Sequence, residues 1–122
     1  MTTDMFDELF AIAKAEIADL DEKAEGMPAL QVTVLLTYSN HFYVAVNDVD
    51  GTICEKMKQT NDTRVIKVLT MWKDGSIDLP SFDFRDALIQ MDERNLNAEM
   101  ILNGMGGYHT KTLAVSMPPV QK

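Results

Sequence analysis

Apolar positions along the chain fall into blocks whose spacing changes from helical to extended and back. Between Asp4 and Ala24 the residues Phe6, Leu9, Phe10, Ala13, Ile17 and Leu20 recur at steps of three and four. That spacing gathers them into one stripe and predicts an amphipathic helix. Thr3 or Asp4 can cap its start, and Gly26 followed by Met27-Pro28 ends it. The pattern then becomes extended. Leu30, Val32, Val34 and Leu36 alternate with Gln31 and Thr33 in a strand over Leu30–Tyr38, with Leu35 breaking the polarity. Ser39-Asn40-His41 is turn material. Phe42, Val44 and Val46 share one face of a second strand over Phe42–Asn47, so the two strands form a hairpin. Asp48-Val49-Asp50-Gly51 reads as a turn. Thr52–Lys58 fits either a short helix carrying Ile53 and Met57 or an extra strand, and Gln59–Arg64 reads as polar loop.

The second half repeats the alternation of states. Val65–Trp72 is apolar on both faces, which marks an inner strand. Lys73-Asp74-Gly75-Ser76 is a turn, and Ser81 or Asp83 can cap a helix whose Phe84, Ala87, Leu88 and Met91 share a face and which ends near Asn95-Leu96-Asn97. Ala98–Leu102 is a short apolar strand, Asn103–Gly107 a turn rich in glycine, and Tyr108–Val115 a last strand; Pro118-Pro119 closes the pattern. The expected fold is α/β: a mixed sheet of about five strands covered by helices, in three α-β-α layers. No repeat or second-domain linker appears, so residues 1–122 are read as one domain.

Composition narrows the function classes. The chain has 122 residues, 46% hydrophobic and 25% charged, enough for one domain with a real core. Its apolar runs are too short for a membrane helix, and Met1-Thr2-Thr3-Asp4 does not open a signal peptide. The lone Cys54 has no partner for an internal disulfide, so a cytoplasmic location is the default expectation. Net charge is −8, of which −6 lies in Met1–Gly26. No basic patch suggests a nucleic-acid partner, and the acidic segment reads as a solvated helix face.

The order of elements, with several local strings, resembles the cytidine deaminase family. Val34–Asn47 is similar to that family's hairpin, with Val46-Asn47 in place of its V-N-I-E-type string. Thr52-Ile53-Cys54-Glu55 resembles its first zinc motif, T-x-C-A-E. Pro80-Ser81-Phe82-Asp83-Phe84-Arg85 resembles its second, P-C-x-x-C-R, with Pro80 and Arg85 retained. Met100-Ile101-Leu102-Asn103-Gly104 is similar to the closing strand and its N-x-x-G, and Thr112-Leu113 with Met117-Pro118-Pro119 to the C-terminal pattern. The resemblance spans nearly the whole chain.

The family's reaction requires three protein ligands on zinc, an open position for water and a glutamate that moves protons. This chain places Ser81 and Phe84 where the resemblance calls for cysteines, and Lys56 where it calls for the glutamate; Glu55 is one residue early. About ten residues separate Cys54 from the next strand, too few for the family's long second helix. His41 and His109 lack ligand spacing to any acid or cysteine and read as surface or hydrogen-bonded structural residues. Cys54 reads as a small buried hydrophobe, Ser81 as a helix cap, Asp48 and Asp50 as turn formers. No catalytic residue, metal or cofactor is therefore assigned, and the expectation is a non-catalytic domain.

Three roles follow. The first is binding of a nucleoside-like small molecule in a metal-free cleft, with Asn47, Cys54, Ser81, Phe82 and Phe84 as candidate contacts. The resemblance gives Asn47 a ribose contact but puts Val49 where a glutamate should stand. The second is an interaction or structural protein, a homodimer or homotetramer, whose cleft is plugged by Phe82 and Phe84. The third, an enzyme of altered chemistry, lacks any nucleophile–base pair that can be assembled from the sequence.

Overall fold

The computed structural model describes residues 4–23, 30–104 and 107–117. Helix α1 (Asp4–Lys23) leads into β1 (Gln31–Thr37), β2 (Phe42–Val46), α2 (Ile53–Gln59), β3 (Val65–Trp72) and β4 (Ile77–Asp78). Then follow α3 (Phe82–Met91), a 3-10 helix over Glu93–Asn97, β5 (Glu99–Gly104), β6 (Gly107–Thr112) and α4 (Leu113–Ser116). Thr3, Gly26-Met27-Pro28, Met105-Gly106 and Pro118-Pro119, to which the sequence assigns a cap, a helix stop, part of a turn and the chain's close, lie outside the described residues.

The strands form one mixed sheet in the order β2-β1-β3-β5-β6. β1 pairs antiparallel with β2 and β3, and β5 with β6, while β3 and β5 run parallel. A parallel pair needs a crossover, and α3 supplies it. β3 and β5 pair only at Lys67↔Glu99 and Val68↔Met100; further along, β4 takes the same edge of β3 at Thr70↔Asp78 and Met71↔Ile77.

Both faces of the sheet are covered. Phe6, Leu9, Ala13 and Ile17 of α1 bury against Val32, Val34, Leu69 and Met71. Leu35, Val68 and Met100 face the other way, onto Cys54 and Met57 of α2, Phe84 and Leu88 of α3, and Leu113. Leu35 therefore breaks the sequence alternation because β1, like β3, is an inner strand with two buried faces. Each fully buried Phe or Leu contributes roughly 1.5–3 kcal/mol. Polar groups inside are paired. Thr33 and Thr70, opposite one another in the ladder, share a 2.9 Å hydroxyl bond. Lys67 is 6% exposed, is paired with Glu99, and lies 5.1 Å from the Phe6 ring centre.

Three elements differ from the sequence pattern, and one open choice closes. The segment Thr52–Lys58 resolves as helix, with Thr52 at the cap position and α2 running Ile53–Gln59. The expected last strand over Tyr108–Val115 stops at Thr112. The Thr112 hydroxyl accepts from Val115 N at 3.4 Å and Leu113 N donates to Ala98 O at 3.0 Å, which turns Leu113–Ser116 into α4. Leu113 and Val115 mimic strand alternation, yet one is fully buried and the other 68% exposed. The helix expected to reach Asn95 ends at Met91, because Asp92 is extended (φ −159°) and caps the 3-10 helix by accepting from Arg94 N. The two-residue β4 follows the Lys73–Ser76 turn and has no apolar run to announce it.

Asn95 is fully buried and all its bonds are made. Its Oδ1 accepts from Val65 N at 2.7 Å, and its Nδ2 donates to Leu88 O at 2.8 Å and Thr63 O at 3.0 Å. Asn95→Ala leaves a buried donor and buried carbonyls without partners, a cost of about 1–3 kcal/mol for each group. Urea unfolding of Asn95→Ala should show a loss of about 3 kcal/mol; a loss under about 0.5 kcal/mol would mean water replaces the carboxamide at no cost.

Candidate functional site

The candidate residues gather where the loop after β2 meets the start of α3. Asp48 builds the loop. Its Oδ1 accepts from Gly51 N and Thr52 N, both at 2.9 Å, and its Oδ2 accepts from Ile53 N at 2.9 Å. This carboxylate satisfies the first free N–H groups of α2, since Thr52 makes no side-chain cap. Gly51 lets the loop approach α3: its φ is +78°, and a Cβ there would stand 2.6 Å from Ala87 Cβ and 3.5 Å from Phe84 Cα. Ser81 caps α3 by accepting from Phe84 N at 3.1 Å, and its hydroxyl donates to Val49 O. Arg85 donates to Pro80 O at 3.1 Å and to Ser116 O at 2.8 Å, tying α3 to α4.

The candidates do not form one cluster. Phe84 is 0% exposed and shares an apolar cluster with the buried Cys54. Phe82, two residues earlier, is 46% exposed and does not fill the same space. Asn47 sits in a left-handed conformation (φ 50°) at the end of β2, where its Oδ1 accepts from Gln31 N and its N donates to Gln31 O, both at 2.8 Å. No hydrogen bond joins Asn47 to Ser81 or Cys54 among the described residues. The Cys54 thiol is pushed up to about 11, chiefly by burial; Lys58 opposes the shift while Asp48 and Glu55 add to it.

This donor set does not fit zinc. Cys54 is a buried thiol held protonated at neutral pH, the Ser81 hydroxyl is spent on Val49, and Phe84 has no donor. No group of three or more His, Cys, Asp or Glu side chains could hold a metal ion among the described residues. No reaction step through a metal follows from this arrangement.

A second polar centre lies at the opposite end of the sheet, in the loop read from sequence only as polar. Asp62, 9% exposed, accepts from Ser39 Oγ at 2.6 Å, His41 Nδ1 at 2.8 Å, Tyr43 OH at 3.1 Å and Thr37 Oγ1 at 3.2 Å. Ser39 also meets His41 at Nδ1, 3.3 Å away, so serine and aspartate crowd one ring nitrogen. A nucleophilic triad needs them on opposite nitrogens. His41 is thus a hydrogen-bonded structural histidine, as its sequence context suggested. Burial pushes the Asp62 carboxyl up, but the bonds from Ser39, His41, Tyr43 and Thr37 outweigh it and hold it below the usual range. Nothing in Thr60-Asn61-Asp62-Thr63 signals this role, because the donors come from a hairpin about twenty residues away.

The α-β-α sandwich with two helix starts packed at one end of the sheet defines a cytidine deaminase-like fold. Solved structures agree. Cytidine deaminase from Mycobacterium leprae superposes with a TM-score of 0.68 at 15% identity, over 93% of this chain and 98% of that one. Two single-substitution mutants of cytidine deaminase from Mycobacterium tuberculosis give TM-scores of 0.63 and 0.65 at 10% and 9% identity, each over 93% of this chain and over 98% and 94% of their own. At such identities the likeness establishes the fold. No protein-family model and no curated protein sequence matches the chain. Among the described residues no helix is long and apolar enough to cross a membrane.

Two outcomes test this geometry. Gly51→Ala adds a strained positive φ and a clash with Ala87, and should cost at least about 2 kcal/mol by urea unfolding; an unchanged midpoint would refute the close approach. Asp62 is lowered in the fold, so its contribution is present above the unfolded carboxyl pKa of about 4 and lost as pH falls through the folded value. Asp92, held down to about 2 mainly by the Arg94 side chain, acts in the same direction between about pH 4 and pH 2. Asp62→Asn should therefore be less stable at neutral pH, with a shallower decline toward acid than the parent. Equal slopes would refute the assignment.

Proposed function

We propose that this chain is a non-catalytic domain of the cytidine deaminase fold in which side chains fill the centre that the family resemblance assigns to zinc. The carrying observation is Phe84. It stands at the second cysteine position of the resemblance, is 0% exposed, and belongs to the cluster that contains Cys54. Lys56, at the position of the proton-shuttling glutamate, is an exposed base and cannot take that role as a carboxylate. Of the polar candidates, the Asn47 Oδ1 already accepts from Gln31 N, and the Ser81 proton is already donated to Val49 O. The filled-centre reading thus stands ahead of a metal-free nucleoside pocket.

An interaction role, as a homodimer or homotetramer, is favoured by a second observation. Val49 and Phe82, which flank the Ser81–Val49 bond, are 57% and 46% exposed, and apolar side chains of this kind beside a filled centre suit a protein contact.

A thermal-shift screen against cytidine, uridine and their bases tests the first reading, with bound zinc measured by mass spectrometry after dialysis against the metal. Ligand at about a hundred times its Kd stabilises by about 2.7 kcal/mol, roughly ten degrees for a domain of this size. The expected result is no shift, no deamination of cytidine and far less than one zinc per chain. A shift of several degrees would replace this reading with nucleoside binding, and stoichiometric zinc would overturn it.

A further inference from the structure

The end of the sheet that carries Asp62 also carries a pair of arginines, and we propose that Arg64 and Arg94 form a binding site for a small phosphate-bearing ligand. Two cavities of about 250 and 300 Å³ share these two residues as walls. One is otherwise lined by the Tyr38–Ser39 turn and the Asn61–Thr63 loop, the other by the start of β3, Asn97 and Glu99. The larger, about 300 Å³, stands at the small end of the range for small-molecule sites. They lie at the N-terminal end of β3, whereas Ser81 and Gly51 lie toward its C-terminal end, so this site is independent of the Gly51–Ser81 junction.

The arginines are the chain's surplus. Of three in the sequence, Arg85 is spent on backbone carbonyls. Arg94 is held by Asp92 through two bonds, Nε to Oδ1 at 3.0 Å and one terminal nitrogen to Oδ2 at 2.7 Å. That grip orients the fork and leaves three of its five N–H donors unused by Asp92. The Arg64 guanidinium lies over the Tyr38 ring, 4.1 Å from its centre, and has no carboxylate within ion-pair distance among the described residues. The two acids that line the cavities are committed elsewhere: Asp62 accepts from four donors of its own, and Glu99 is paired with Lys67. Tyr38 remains 67% exposed and offers a flat apolar platform beside the guanidinium.

These features select the ligand class. Two guanidiniums lining the same cavities, with several free donors, match three acceptor oxygens and a charge near −2 at neutral pH, which a phosphomonoester supplies and a carboxylate does not. The chain's charge of −8 repels anions in general, so retention at this one place depends on the local donors.

The test titrates the isotopically labelled full chain with inorganic phosphate, phenyl phosphate and acetate at about 0.15 M salt, following backbone amides by NMR. Saturable shifts confined to the Asn61–Arg64 and Asp92–Asn95 amides are expected with both phosphates, tighter for phenyl phosphate because Tyr38 can take its ring, and none with acetate. Arg64→Gln should weaken phosphate binding by about tenfold or more with the rest of the spectrum unmoved. Tyr38→Ala should remove the advantage of phenyl phosphate, and Arg64→Lys should weaken binding too, since a lysine keeps the charge but loses the fork. Absence of saturable shifts in the parent chain, or equal affinity in Arg64→Gln and Arg64→Lys, would overturn the proposal.

Discussion

One buried carboxamide fixes how the two halves of the sheet meet. A parallel pairing of β3 with β5 requires α3 to cross over and return, and the ends of that path expose backbone groups inside the core. Asn95 takes three of them at once: the N–H of Val65, where β3 begins, the carbonyl of Leu88, near the end of α3, and the carbonyl of Thr63 before the strand. The parallel ladder itself is only two residue pairs long, because β4 occupies the rest of that edge of β3. So short a pairing sets the position of α3 weakly. The Asn95 bonds, with the crossover's apolar face of Phe84 and Leu88, set it firmly. The start of α3 is then aimed at Gly51, and that close approach is only possible because Gly51 carries no side chain.

The same constraint explains the chemistry of the junction. Two helix starts packed together turn N–H groups toward one small space. Here several of these groups are closed internally. Asp48 takes three N–H groups at the start of α2, Ser81 takes one at the start of α3, and Val49 O takes the Ser81 proton. Phe84 occupies the apolar interior behind them. A thiol in such surroundings keeps its proton, as Cys54 does. Capping, packing and thiol chemistry therefore point in one direction, toward an arrangement that stabilises the fold rather than one that leaves donors unspent.

Much of this was legible in the sequence because it depends on local pattern. The α1 stripe, the hairpin, the doubly buried β3 and the capping role of Ser81 all follow from spacing or from a residue's own backbone preference. What stayed hidden depends on partners distant in sequence. Asn95 looks like part of a helix-ending Asn-Leu-Asn string, and its bonds to Val65 and Thr63 cross thirty residues or more. Asp62 looks like loop, and its four donors come from the β1–β2 hairpin. Leu113 and Val115 obey strand alternation, and only the bond from Leu113 N to Ala98 O shows why the chain turns there. Phe82 and Phe84 appear equivalent as a pair of aromatic plugs, yet a helix sends residues two apart to different sides, so one is buried and the other faces solvent.

The division of labour between the two ends of the sheet follows from how each end spends its charges. At the Gly51–Ser81 end Asp48 and Ser81 are absorbed by backbone, with an apolar interior behind them and exposed Val49 and Phe82 at the rim. At the Asp62 end the carboxylates are absorbed by side-chain donors and by Arg94, which leaves Arg64 as a cation without an acidic partner among the described residues. A cation is solvated well at a surface and costs little to leave there, so stability alone does not demand a partner for it. Its stacking on Tyr38, however, holds the guanidinium in one place and reduces what is lost on binding an anion. The arginine end of the sheet thus keeps guanidinium donors unspent, whereas at the Gly51–Ser81 junction Asp48 and Ser81 have spent their hydrogen bonds on backbone.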